Sequence, residues 1–138
     1  MRITISMLIL LLASAALAAC ANAPAATTSG NAPSGYKNLT PAQLNQMLAT
    51  KDFLFVNVHI PYEGEIAQTD AFIPFDQVEQ NLAQFPADKN AKIVLYCRSG
   101  SMSRTASETL VKLGYTNLSH LDGGMVAWEN AGLPRIRK

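Results

Sequence analysis

The sequence predicts an α/β fold: a mainly parallel central sheet with helices on both faces. Three observations predict it. Residues 53–58 (FLFVNV) and 93–96 (IVLY) are short, continuous apolar runs, the pattern of strands buried on both faces. Helical segments with their own start and stop signals alternate with these runs. Alternation of this kind implies crossover connections and hence parallel pairing. Sites in such sheets form beyond the carboxyl ends of strands, and Cys97 directly follows the second run.

The 138-residue chain opens with Met1-Arg2, continues through residues 3–19 without a charge, and closes that stretch on Leu17-Ala18-Ala19-Cys20. One basic residue, an apolar core and small residues before a cut are the parts of a secretory signal. A spanning anchor usually needs about 20 apolar residues, and this stretch is shorter and carries Thr4, Ser6 and Ser14. The Leu-Ala-Ala-Cys ending resembles the bacterial lipoprotein box, which implies removal of residues 1–19 and lipidation of Cys20. A plain signal peptide with a cysteine nearby is the alternative. The expected location is the bacterial cell envelope, on a lipid anchor facing the periplasm. Ala21 stands where an aspartate often retains lipoproteins at the inner membrane, so the outer membrane is preferred. Residues 20–35 read as a flexible tether: ANAPAATTSGNAPSG carries neither charge nor a large apolar side chain. Residues 36–138 then form one domain with one modest core.

Of the 11 basic side chains only Arg2 lies in residues 1–19, so the remaining chain balances 10 basic against 10 acidic groups. Near-neutral charge argues against nucleic acid as a partner and against electrostatic capture by an anionic membrane. Two cysteines cannot build a disulfide framework. With Cys20 acylated, Cys97 is a lone thiol in an oxidising compartment, which points to a use for its reactivity. Two histidines and no paired cysteines provide no metal-ligand spacing. No cofactor is expected, and the chain is expected to act as a monomer.

Within the domain, Thr40-Pro41-Ala42-Gln43 opens a helix with a capping residue, a first-turn proline and a capping-box partner. Leu39 and Leu44 stand where a hydrophobic staple would place them, and Leu48 continues the stripe. Residues 59–74 have no clear period and contain Pro61, Gly64 and Pro74, so they read as a loop. Asp76-Gln77-Val78-Glu79 reads as a second capping box, opening a helix with Val78, Leu82 and Phe85 inward that ends at Pro86. A helix from Met102 to Leu113 carries Met102, Ala106, Leu110 and Leu113 on one face and stops at Gly114. Residues 117–121 read as a short strand, and 125–131 as a final helix closed by Gly132 and Pro134.

Chemistry concentrates in Tyr96-Cys97-Arg98-Ser99-Gly100-Ser101-Met102-Ser103-Arg104. A cysteine between a strand and a helix start is expected on a tight loop, with backbone N–H groups converging on its sulfur. That environment favours thiolate over thiol and would hold a persulfide equally well. This run resembles the active loop of rhodanese-like sulfurtransferases, and Leu121-Asp122-Gly123-Gly124-Met125-Val126-Ala127-Trp128 is similar to that family's C-terminal signature. The similarity spans roughly residues 40–133. It implies an α/β domain in which the Cys97 thiolate takes the outer sulfur of a donor such as thiosulfate. A thiophilic acceptor, cyanide or a thiol (a protein thiol included), then removes it. A free thiol titrates near ~8.5, so the loop must stabilise the ionised form. The amides of Arg98, Ser99, Gly100, Ser101, Met102 and Ser103 would do so.

Two departures from the family pattern bear on substrate. Where the family often has Asp-Val-Arg, this chain has Asn57-Val58-His59, which removes a charge from the support of the loop. Met102 occupies a loop position that is basic in many thiosulfate-using members, so a bulkier or less charged donor becomes a candidate. Arg98 has two readings, surface ion pair or substrate contact. His59 has a reading as a proton donor beside a structural one. Glu63 and Glu65 are expected to fix loop geometry, Arg104 and Trp128 to be structural, and His120 to be packing or surface.

Two rival functions have distinct signatures. Cysteine-dependent phosphatases and arsenate reductases of the Cys-x5-Arg type need arginine where this chain has Ser103. Arg104 comes one residue late, about 100° around a helix. A module that binds a partner or carries sulfur without turnover is the second rival. Loss of the cysteine is common in inactive members of the family, and this chain keeps it.

Overall fold

A computed structural model describes residues 35–136; Cys20, the expected signal and nearly all of the expected tether lie outside them. The elements in chain order are β1 (Tyr36–Leu39), α1 (Pro41–Ala49), β2 (Leu54–Asn57), β3 (Glu65–Ile66) and β4 (Ala71–Phe72). Two short 3-10 turns, Phe75–Gln77 and Leu82–Gln84, precede β5 (Ile93–Tyr96), α2 (Ser101–Lys112), β6 (Leu118–Leu121), α3 (Gly124–Asn130) and β7 (Arg135–Ile136). Five strands form one sheet in the order β1-β6-β5-β2-β4, and every pairing in it is parallel. β3 and β7 form a separate antiparallel pair.

Side chains alternate across the sheet because the strand period is two. Val56, Ile93, Leu95 and Leu118 enter one core with Ala106 and Leu110 of α2 and with Val78 and Phe85. Phe55, Val94, Tyr96 and Leu121 enter the other, with Leu44 and Leu48 of α1 and Met125 and Trp128 of α3. The continuous apolar runs therefore do face helices on both sides. No helix among the described residues is long and apolar enough to cross a membrane.

The opening of α1 follows its sequence signals. Thr40 Oγ1 accepts the Gln43 N–H at 3.2 Å, and Gln43 Oε1 accepts the Thr40 N–H at 2.8 Å. Leu39 and Leu44 lie in the same core. Two expectations need correction, and one strand was not anticipated. The helix expected from Asp76 to Phe85 is two 3-10 turns without a side-chain cap. Asn81, at φ −108° and ψ 20°, leaves the helical region, so the single turn closed by its backbone N–H and its Nδ2 on the Gln77 carbonyl, at 3.1 and 2.8 Å, does not propagate. Val78 and Phe85 are nevertheless buried as expected. Within the stretch read as loop, β3 and β4 each form over two residues, too short for a periodic signal. Finally, Tyr36-Lys37-Asn38-Leu39 is an edge strand paired only with β6, and its two polar residues conceal it from pattern reading.

Candidate active site

Cys97 sits where the sheet positions it. The Val58 N–H donates to the Tyr96 carbonyl at 2.9 Å, extending β2 alongside the end of β5, and Cys97 follows. The chain then folds back through Gly100, whose φ of +92° lies in the left-handed region that glycine adopts freely. This turn directs the Gly100 N–H onto Cys97 Sγ at 3.1 Å. The cysteine is 1% exposed and packs in the core on the α2 side. Of the converging amides expected from the sequence, this is the one that reaches the sulfur.

The outward side of the loop is held by α3. The Met125 N–H donates to the Cys97 carbonyl at 2.9 Å, and the Val126 N–H to the Arg98 carbonyl at 3.0 Å. Such approach requires Gly123-Gly124, with φ of +69° and +57°. A β-carbon on Gly124 would overlap the Cys97 carbonyl oxygen and the Arg98 carbonyl. One on Gly100 would stand 3.0 Å from the Gly123 nitrogen. The two motifs, far apart in sequence, are thus two sides of one close backbone contact. The Gly100 carbonyl accepts the Arg104 N–H at 3.1 Å, starting α2. Gly100 is its N-cap and provides no side-chain cap. The amides of Ser101, Met102 and Ser103 in that first turn have no intrahelical acceptor.

The remaining predicted side chains divide by direction. Ser99 and Ser101 are exposed, and Met102 is half-buried against the α2-side core. Ser103 is fully buried: its Oγ lies 3.1 Å from both the Gly100 carbonyl and His120 Nδ1. The position that would carry a Cys-x5-Arg clamp therefore points into the core. Arg104 is exposed on α2. Arg98 Nε stands 3.4 Å from Glu63 Oε2, the ion-pair arrangement, and the same carboxylate oxygen is 3.5 Å from His59 Nε2. His59 is 7% exposed with neither ring nitrogen hydrogen-bonded. Asn57 does what its amide allows, donating to the Gly64 carbonyl and accepting the His59 N–H, each at 3.0 Å. It fixes the turn that carries Glu63.

Two buried groups shape the surroundings. Burial pushes the Tyr96 phenol up to about 12, against hydrogen bonds with Thr69 and with the Ile66 N–H that favour ionisation. Its hydroxyl stays protonated and ties β5 to β3 and the turn after it. Burial also lowers the His120 pKa from its ordinary value; the charge of Asp122 opposes this and that of Arg104 adds to it. His120 was expected to be packing or surface. The ring is fully buried, and both nitrogens are engaged, Nε2 with Asn38 Oδ1 at 2.9 Å and Nδ1 with Ser103. Its partners lie 82 and 17 residues away, so no local signal marks them.

Comparison with known proteins agrees with this geometry. Residues 40–131 match the rhodanese-like domain. A protein of Allochromatium vinosum named sulfurtransferase is 38% identical over 98 residues, covering 67% of this chain and 88% of that one. A probable adenylyltransferase/sulfurtransferase MoeZ of Mycobacterium tuberculosis is 34% identical over 95 residues, and only 24% of its length is covered. Among solved structures, a rhodanese-related protein from Thermoplasma volcanium superposes with a TM-score of 0.64 at 25% identity, covering 75% of this chain and all of that one. A rhodanese-like domain protein from Staphylococcus aureus gives a TM-score of 0.61 at 29% identity, covering 74% of this chain and 99% of that one. The fold, the loop and these relatives agree: the chain belongs to the rhodanese-like domain family.

Proposed function

We propose that this protein is a sulfurtransferase that carries sulfane sulfur as a persulfide on Cys97. In the first step the Cys97 thiolate attacks the outer sulfur of a donor such as thiosulfate. The Sγ–S bond forms, the donor's S–S bond breaks, and its electron pair leaves with sulfite. In the second step an acceptor thiolate or cyanide attacks the terminal sulfur, and the electron pair of the broken bond returns to Sγ. No external oxidant or reductant is needed. The observation carrying this reading is the Gly100 N–H held 3.1 Å from Sγ, in a loop whose Cys97 and Arg98 carbonyls are turned away toward α3. Donors aimed at sulfur stabilise negative charge there, and the first-turn amides of α2 are available to the added sulfur atom. The relatives named sulfurtransferase support the same chemistry.

The neutral Met102 and the pairing of Arg98 with Glu63 favour a donor with less charge than thiosulfate. Turnover with thiosulfate and cyanide, and with an alkyl persulfide and a thiol, tests both points. Cys97→Ser abolishes turnover with every donor; equal rates in the variant and the wild type remove Cys97 from the reaction. Loading without release identifies a sulfur carrier instead. Lipidation at Cys20, and with it a place on the envelope, is proposed from the Leu17–Cys20 sequence alone. A Cys20→Ala protein that remains membrane-bound would contradict it.

A further inference from the structure

The turn after β2 carries a carboxylate with two neighbours and a full hold on neither. Glu63 Oε2 stands 3.4 Å from Arg98 Nε and 3.5 Å from His59 Nε2. A charge-assisted N–H···O⁻ bond closes to about 2.7–2.9 Å, so this oxygen rests between two seats. The Arg98 side chain is 56% exposed and comes directly after Cys97 in the loop. Glu63 meets it at Nε, which leaves the N–H donors of the Nη fork for another acceptor.

The second seat is the unusual one. His59 is 7% exposed, and neither ring nitrogen has a hydrogen-bond partner. A buried polar group in that state costs stability, and few native groups are left so. Asn57 fixes the arrangement by accepting the His59 N–H and donating to the Gly64 carbonyl, each at 3.0 Å. Residues 59 and 63 therefore face each other across one short turn. A Glu63 carboxylate released from Arg98 has a hydrogen-bond donor within reach, the Nε2–H of the His59 ring.

We propose that Glu63 is the specificity-determining residue for the sulfur donor, and that His59 is the positioning residue that receives its carboxylate. At rest, Glu63 offsets the Arg98 charge and discriminates against anionic sulfur donors. An anion that binds the Nη fork repels the carboxylate from Nε, because like charges on one guanidinium oppose each other. The oxygen then moves onto His59 Nε2–H. A sulfur donor with less charge makes less of this demand. The effect on turnover rests on Cys97 as the point of attack, whereas the anion seat does not.

Thiosulfate binding to the Cys97→Ser protein reads the seat without any reaction at residue 97. In that background Glu63→Gln is expected to tighten binding about two- to fivefold, the scale of a partly exposed charge pair. His59→Phe, a ring of similar size without a hydrogen-bond donor, should weaken it, and His59→Gln, which keeps a side-chain N–H, should not. Once Glu63→Gln is present, His59→Phe should change nothing, since no carboxylate remains to be received. His59→Leu repeats this comparison should the phenyl ring misfit. Arg98→Gln should abolish the gain from Glu63→Gln. With Cys97 restored, Glu63→Gln should raise the ratio of kcat/KM for thiosulfate to that for an alkyl persulfide. Equal weakening by His59→Phe with and without Glu63→Gln marks a merely structural histidine and would overturn the proposal. Unchanged thiosulfate binding in Glu63→Gln, or a gain that survives Arg98→Gln, would overturn it too. Absence of turnover with both sulfur donors, the binding results holding, would count against Cys97 and leave the anion seat standing.

Discussion

The N-termini of α1 and α2 solve the same problem in opposite ways. Every helix begins with amides that lack intrahelical acceptors. At α1 the chain closes the account locally: Thr40 and Gln43 exchange side-chain hydrogen bonds with each other's backbone, and Leu39 and Leu44 share a core above them. At α2 the N-cap is Gly100 in a left-handed conformation, with no side chain to occupy the donors. The Gly100 N–H turns instead to the Cys97 sulfur. α3 lies between these cases: it too has a glycine cap, and its first amides are committed to the carbonyls of the very loop that α2 leaves open. A capped start supports structure alone. An uncapped start, braced from behind by another helix, leaves donors for an anion.

Substitutions can break that contrast. Gly124→Ala should have the largest effect, because its β-carbon overlaps the Cys97 and Arg98 backbone and its φ is +57°. Together, strain and overlap are expected to cost about 2–4 kcal/mol. Loading of Cys97 should fall at least tenfold, measurable by denaturant melts and single-turnover kinetics. Acid is expected to act next. Because burial lowers the folded His120 pKa, the unfolded chain binds that proton first. Its stability contribution is therefore complete above the ordinary histidine value and is lost as pH falls from there toward the lowered folded value. Melts across pH 5–8 should show this slope, and His120→Asn should flatten it. Thr40→Ala should matter least, costing about 1 kcal/mol of stability and leaving loading unchanged. A matching loss of loading would mean that the two helix starts are not independent.

What was legible in the sequence follows the distance over which each feature is determined. The α1 cap is a contact between residues three apart, and it was read correctly. The Cys97 loop is equally local, so its position after β5 and before α2 was visible. The need for Gly123-Gly124 was visible only as a motif; its cause is contact with the backbone of Cys97 and Arg98 across the loop. The expected helix at residues 76–85 is interrupted at Asn81, whose backbone leaves the helical region at φ −108° and ψ 20° while its side chain bonds back to the Gln77 carbonyl. His120 is buried, one of the two readings expected for it, but its polar partners were not legible. Its partners come from β1 and α2, and only the folded sheet brings them together.

The most direct test of the account is the intact mass of the protein after exposure to donor, followed by peptide mapping. One added sulfur on Cys97, discharged by a thiol acceptor, is the predicted result. Absence of the adduct with thiosulfate and alkyl persulfide alike, or an equal adduct on the Cys97→Ser protein, would contradict it.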